Sequence, residues 1–269
     1  MTKYILLFLI ILLNVTSCKR DDSKKISITG SSTVAPLARE LGARFEEQNP
    51  GVRVDVQMGG SSRGLADVRK NLVDIGMISR DLSAKEKDVS GHKIALDGIA
   101  IIVNAENKIT SLSSSEIAKI YLGEVENWKD VGGSDAEITV VNKAEGRSTL
   151  ELFTKHFSIE GNLIKADVVI GDNEQGIQTV AGNPNAIGYV SVGTAEYDVQ
   201  KGIKIKLLKT GGVDASRATV KDGSFPIVRS LNFITKEEPK GLVKEFIKFS
   251  QSAQVHDLIE GQFFVPLGS

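Results

Sequence analysis

The chain has 269 residues, of which 41% are apolar, 25% charged and 6% aromatic, and 33 Lys and Arg against 34 Asp and Glu leave a net charge of −1. With no basic surplus to neutralise a phosphate backbone, a nucleic-acid partner is excluded. A single cysteine excludes an intrachain disulfide, and the length suits one large or two modest domains.

The first element in chain order is a leader. Lys3 precedes residues 4–13, which are all apolar or aromatic. This run is too short to span a bilayer and has the length of a signal-peptide core. Val15-Thr16-Ser17-Cys18 sets small residues before the cysteine and resembles the lipobox of bacterial lipoproteins, in which that cysteine is acylated. The expectation is a signal peptide over 1–17, lipid on Cys18 and a polar tether over 18–25, holding the chain to a membrane surface without a spanning helix. The plain alternative is a cleaved signal with an incidental cysteine.

Strands and helices then alternate. Ile26 and Ile28 alternate with polar residues as a short strand; Leu37, Leu41 and Phe45 form a helical stripe that Asn49-Pro50-Gly51 ends. Val52, Val54 and Val56 read as a second strand, Leu65, Val68 and Leu72 as a second helix, and residues 73–78 as a third strand. Residues 97–104 hold an unbroken apolar run, the mark of a buried strand. Ser113 and Glu116 have capping-box spacing before a helix carrying Ile117, Ile120 and Tyr121. Further strands are expected over 137–142, 167–170, 186–191, 203–208 and 227–234. Further helices are expected at Leu150, Phe153 and Phe157 and over 242–249 and 253–259. The alternation predicts an α/β protein with helices on both faces of its sheets. The two long apolar strands bracket the middle block. They predict two lobes, the first over 26–103 and 232–269 and the second over 104–231, with the two crossover strands as hinge and the ligand between the lobes.

Strand ends followed by small hydroxyl residues and glycine recur at Gly30-Ser31-Ser32-Thr33, Gly59-Gly60-Ser61-Ser62, Ile78-Ser79-Arg80 and Gly146-Arg147-Ser148-Thr149. Helix starts leave N–H groups unpaired and carry partial positive charge, so several that converge make a site for a tetrahedral oxyanion. Taken singly, Ser32, Ser62 and Ser148 read equally as helix N-caps, and Arg80 and Arg147 as surface ion-pair partners. His92, His156 and His256 show no metal spacing. No Walker loop, H-E-x-x-H or G-x-G-x-x-G occurs, and no catalytic residue, metal or cofactor is assigned.

Several segments together resemble the phosphate-binding components of ABC phosphate transporters, a family of two-lobed type II periplasmic binding proteins in which each lobe is a mixed sheet flanked by helices. They are Ile28 to Leu37 (ITGSSTVAPL), Gly59-Gly60-Ser61-Ser62-Arg63-Gly64, Asp74-Ile75-Gly76-Met77-Ile78-Ser79-Arg80, Asp97-Gly98-Ile99-Ala100, Asn127-Trp128, Ala186-Ile187-Gly188-Tyr189-Val190-Ser191 and Phe264-Val265-Pro266-Leu267. The resemblance covers nearly the whole mature chain in order. It implies phosphate ligands among Ser31, Ser32, Thr33, Ser61, Ser62, Ser79, Arg80, Arg147, Ser148 and Thr149. It departs from the family pattern at Lys143, where an arginine is common, and at Arg147, which replaces a serine. Arg147 then supplies the charge, and its fork can bond two oxygens. Some members carry aspartate where Ser79 stands, so the acceptor for a phosphate P–OH is left open among Asp74, Asp81 and a backbone carbonyl.

The resemblance implies a monomeric, non-enzymatic receptor outside the cytoplasm, anchored by lipid to a bacterial membrane at its periplasmic face or cell surface. Its partners are inorganic phosphate and the permease subunits of an ABC transporter. The competing readings are a receptor for sulfate, molybdate or a small organic anion, a secreted phosphatase-like enzyme, and an adhesive surface lipoprotein.

Overall fold

The computed structural model describes residues 24–268. The leader, Cys18 and the tether before Lys24 lie outside the described residues. In chain order the elements are β1 (Lys25–Gly30), α1 (Ala35–Gln48), β2 (Arg53–Met58), α2 (Ser61–Arg69), β3 (Ile75–Ile78), β4 (Ser90–Asn104), α3 (Ser114–Tyr121), β5 (Thr139–Lys143), α4 (Ser148–Phe157), β6 (Val168–Ile170), α5 (Asn173–Ala181), β7 (Ala186–Ser191), α6 (Val192–Gln200), β8 (Ile205–Leu207), α7 (Arg217–Lys221), β9 (Val228–Thr235), α8 (Gly241–Ser250) and α9 (His256–Gly261). Among the described residues, no helix is long and apolar enough to cross a membrane.

The strands run in the order β2-β1-β3-β9-β4-β7-β5-β6, with β8 paired to β4. β1 is parallel to β2 and β3, while β9 is antiparallel to β3 and β4. β5 is parallel to β6 and β7, and β7 and β8 are antiparallel to β4. The result is a mixed sheet in each half of the molecule, joined by β4. Residues 90–98 of that strand pair with β9, and residues 99–104 pair with β7 and β8.

Each half has its own apolar core. Ile26, Ile28, Leu37, Leu41, Phe45, Phe233 and Phe246 belong to one; Ile101, Tyr121, Phe153, Ile177 and Tyr189 belong to the other. The helical stripe read from Leu37, Leu41 and Phe45 is therefore the face of α1 that packs on the sheet. The cores change over between Ala95 and Ile99 on β4 and between Ile227 and Leu231 at the start of β9. On β4 this precedes the crossing expected near Asn104, because the strand begins at Ser90 rather than Asp97. Its first half, with His92 and Lys93 among apolar residues, lacks the continuous apolar run of the second.

Close backbone contact positions the first loop. Gly30 ends β1 at φ +134°, and a Cβ there would sit 2.3 Å from the Met77 carbonyl oxygen. Only glycine fits that space and conformation. The Gly30 carbonyl then accepts from both Gly59 and Gly60 N–H at 2.9 Å, tying the turn after β2 to the end of β1.

Candidate functional site

The loops after β1, β2, β3 and β5 open at the carboxyl ends of these parallel strands, where open α/β sheets bind ligands. They surround a cavity of about 10 Å3 lined by Ser31, Ser32, Thr33, Gly60, Ser61, Ser79, Arg147, Ser148 and Thr149. This is well below the roughly 300–1,000 Å3 of pockets that take organic ligands. A wider cavity of about 400 Å3, bordered by Ser27, Asp74 and Thr235, lies at the opposite strand ends. It gathers none of the hydroxyl loops.

The hydroxyls around the small cavity do not cap their own helices. The N-cap residues of α1, α2 and α4 are Val34, Gly60 and Arg147, and none makes a side-chain cap bond. The N-cap reading of Ser32, Ser62 and Ser148 therefore gives way to a different use of these side chains. Ser148 Oγ is buried and has no hydrogen-bond partner among the described residues. A buried hydroxyl in that state, facing a cavity, points to a ligand. The N–H groups of Ser148 and Thr149, the first two residues of α4, precede its hydrogen-bond ladder and add donors at the same point.

Arg147 is half-buried beside the cavity. Gly60, at φ +93°, allows it to lie there. A Cβ at Gly60 would crowd both the Gly146 carbonyl oxygen and Arg147 Cδ at 3.1 Å. Ser62 and Arg80 are not brought to the cavity. Ser62 is exposed at the rim, where its N–H donates to the Gly146 carbonyl at 3.2 Å. Arg80 turns away to bond both oxygens of Glu86 at 2.7 and 2.8 Å, with Glu151 of α4 2.7 Å from its Nε. These bonds hold the Glu86 carboxyl down to about 2. Asp74 instead accepts from the Ser27 N–H and hydroxyl, and Asp81 is exposed near Lys93. Neither candidate P–OH acceptor lines the cavity.

Sequence reasoning missed the charge behind the site. Arg229 and Asp97 face one another in register on β9 and β4, with side chains 0% and 1% exposed. Asp97 Oδ2 accepts from Arg229 Nε at 3.0 Å and Nη2 at 2.8 Å, and its Oδ1 accepts from Gly193 N–H at 3.1 Å. Arg229 reaches onward to Thr149 Oγ1 at 2.9 Å and to Ser79 Oγ and Thr33 Oγ1 at 3.4 Å. Asn173, at the start of α5, donates to Thr33 Oγ1 at 3.2 Å. Lys143 is buried, donating to the Asp172 carbonyl at 2.6 Å and Asn173 Oδ1 at 3.1 Å. Burial, and then the positive charge of Arg229, push its ammonium down to about 7. The signal for the missed pair was an Arg and an Asp each set among apolar neighbours, Ile227, Val228 and Leu231 around Arg229 and Leu96, Ile99 and Ala100 around Asp97, since each charge demands a partner when buried.

Residues 17–254 match the family model of the PBP superfamily domain. The chain is 32% identical over 267 residues to the phosphate-binding protein PstS of Bacillus subtilis (strain 168), covering 94% of this chain and 85% of that one. It is 31% identical over 273 residues to the phosphate-binding protein PstS of Borreliella burgdorferi, covering 97% of each. Its fold is similar to that of a putative phosphate ABC transporter substrate-binding protein from Clostridium perfringens solved with bound phosphate, with TM-score 0.83 and 29% identity over 90% of this chain and 99% of that one. An ABC-type phosphate transport receptor from Vibrio cholerae matches with TM-score 0.75 and 28% identity over 89% of this chain and 99% of that one.

Proposed function

Since this chain belongs to the phosphate-binding PstS family of the PBP superfamily, we propose that it captures inorganic phosphate between two lobes and delivers it to the permease of an ABC transporter. It works no chemistry on the ion. The observation that carries this reading is the small cavity walled by hydroxyls and Arg147, with the buried Ser148 hydroxyl facing it unpartnered. Charge-assisted hydrogen bonds from helix starts, hydroxyls and Arg147 hold the anion in a site shielded from water.

The lobes divide where the cores change over, near Asp97 and Arg229. Ser31, Ser32, Thr33, Ser61 and Ser79 stand on one side, and Arg147, Ser148 and Thr149 on the other. An anion bound to both sides favours the closed arrangement over an open one, because only the closed form offers both sets of contacts. Outside the cytoplasm, lipid on Cys18 after cleavage of residues 1–17 keeps the receptor beside its permease.

Calorimetric titration of the soluble form from residue 19 onward, with phosphate and then sulfate, tests the reading. One phosphate per chain at micromolar affinity or better is expected, about −8 kcal/mol. No phosphate binding overturns the reading, and tighter binding of sulfate transfers the site to another oxyanion.

A further inference from the structure

Arg229 has no exposed surface, yet every one of its donors is used. A guanidinium carries five N–H groups. The Nε–H and one Nη2–H go to Asp97 Oδ2, and the other Nη2–H goes to Thr33 Oγ1. The two Nη1–H groups go to Thr149 Oγ1 and Ser79 Oγ. Asp97 is equally committed, to Arg229 and to the Gly193 N–H. It has no role left as an acceptor for a ligand proton.

This arrangement fixes the direction of three hydroxyls. An oxygen that accepts from the guanidinium keeps its own hydrogen for another partner, and that hydrogen points away from Arg229. Thr33, Ser79 and Thr149 all line the cavity, so their hydrogens are directed into it. Thr33 is the most constrained, because Asn173 Nδ2 fills its second lone pair and leaves it only able to donate. The three hydroxyls come from the loops after β1, β3 and β5, and so from both halves of the molecule.

We propose that Arg229, clamped by Asp97, is the positioning residue of the anion site. It locks Thr33, Ser79 and Thr149 as donors toward the anion and supplies positive charge from behind them. The inference rests on the reading of this cavity as a phosphate site. It differs from the role of Arg147, which lines the cavity and meets the ion directly. Arg229 acts through the hydroxyls, and its rigid fork is what reaches all three at once. A lysine keeps the charge opposite Asp97 but cannot reproduce that fork.

A double-mutant cycle on the full mature chain, titrated with inorganic phosphate, tests this. Arg229→Lys is expected to melt as the wild type does and to bind phosphate about 20-fold more weakly or worse. Thr149→Val is expected to weaken binding about tenfold. The two together should bind no more than about twofold more weakly than Arg229→Lys alone, because the hydroxyl's contribution already depends on the arginine. Binding by Arg229→Lys within twofold of wild type, or losses that multiply, overturns the inference. Should Arg229→Lys fail to fold, Arg229→Met with Asp97→Leu replaces the buried pair by apolar volume. That variant should fold and lose about 100-fold or more in affinity, and near-normal binding by it overturns the inference. Absence of phosphate binding by the wild type overturns the phosphate reading and this inference with it. Equal binding by wild type and Arg229→Lys overturns the inference alone.

Discussion

Helices α3, α5, α6 and α7 begin differently from α1, α2 and α4. In the first group Ser113, Asp172, Ser191 and Ser216 each accept from an N–H in the first turn, so the polar side chain is consumed where it stands. In the second group no side chain caps the start, although serine or threonine lies beside each one. α8 also starts uncapped, at Lys240, but on the exposed surface, where water meets its first turn. A missing cap costs about 1 kcal/mol. Three such starts around one cavity are what the proposed anion site would use, since helix N-termini favour negative charge. A ligand bound there stabilises the fold by mass action, by about 2.7 kcal/mol at a hundred times Kd.

The largest expected effect breaks the uncapped group at its charge. Arg147→Ala should weaken phosphate binding about 100-fold, and Arg147→Lys should also weaken it for want of the fork. Lys143→Ala should cost less, because Lys143 is tied to Asp172 and Asn173 rather than lining the cavity. Titration of the three variants decides it, and a larger loss at Lys143 refutes the assignment.

A second effect bears on how α4 is held over the cavity. Glu151, in its first turn, meets Arg80, which also holds Glu86. The Glu86 carboxyl lies at about 2 when folded, against an ordinary 4.5. The folded state therefore binds fewer protons in this range. The stabilisation is complete above about 4.5 and is lost as pH falls toward 2. Glu86→Gln should cost about 2 kcal/mol at pH 7 and flatten the acid limb of the stability curve. Urea unfolding at pH 7, 4 and 3 measures both, and an unchanged acid limb in the variant counts against this pairing.

The third compares the two kinds of helix start directly. Ser113→Ala should cost about 1 kcal/mol of stability and leave phosphate affinity alone. Ser148→Ala should leave the ligand-free melting temperature unchanged and weaken phosphate about tenfold. If both lose stability alike and neither loses affinity, the distinction between the two groups is void.

The smallest effect is a fraction of a proton. Burial holds the Lys143 ammonium down to about 7, so it is partly neutral at neutral pH in the ligand-free protein. A nearby anion favours the charged form and raises its pKa. Phosphate binding near pH 7.5 should therefore draw in a fraction of a proton that Lys143→Met does not. Calorimetry in buffers of different ionisation enthalpy reads the difference, and identical proton uptake by the variant rules it out.

Much of this was legible in the sequence. The stripe Leu37, Leu41, Phe45 and the capping box at Ser113 predict helices and are α1 and α3. The hydroxyl loops were picked out by residue type alone, because glycine and hydroxyls at strand ends are a local signature. All but Ser62 and Arg80 of the residues so chosen line one cavity. Arg80 was misleading because adjacency in sequence says nothing of side-chain direction, and Glu86 and Glu151 lie on its other side. Helices α5, α6 and α7 went unread. Each is nine residues or fewer, and α5 shows the core little more than Ile177 and Val180. Arg229 was hidden inside an apolar strand, where its meaning depends on a partner 132 residues away.

The place of β1 has a mechanical consequence. β1 begins at Lys25 and lies between β2 and β3, parallel to both. A pull on the chain from that end loads two hydrogen-bond ladders in shear. The half carrying Arg147, Ser148 and Thr149 is joined to the loaded half through β4 and the start of β9, and Val265 near the C-terminal end packs in its core. The loaded half also carries Ser31, Ser32, Thr33, Ser61 and Ser79 at the ends of its strands, so such a load reaches one wall of the cavity directly. Optical-trap tension applied between residues 24 and 268, with phosphate residence time as the readout, should find the residence time shortened as the load rises, below the unfolding force.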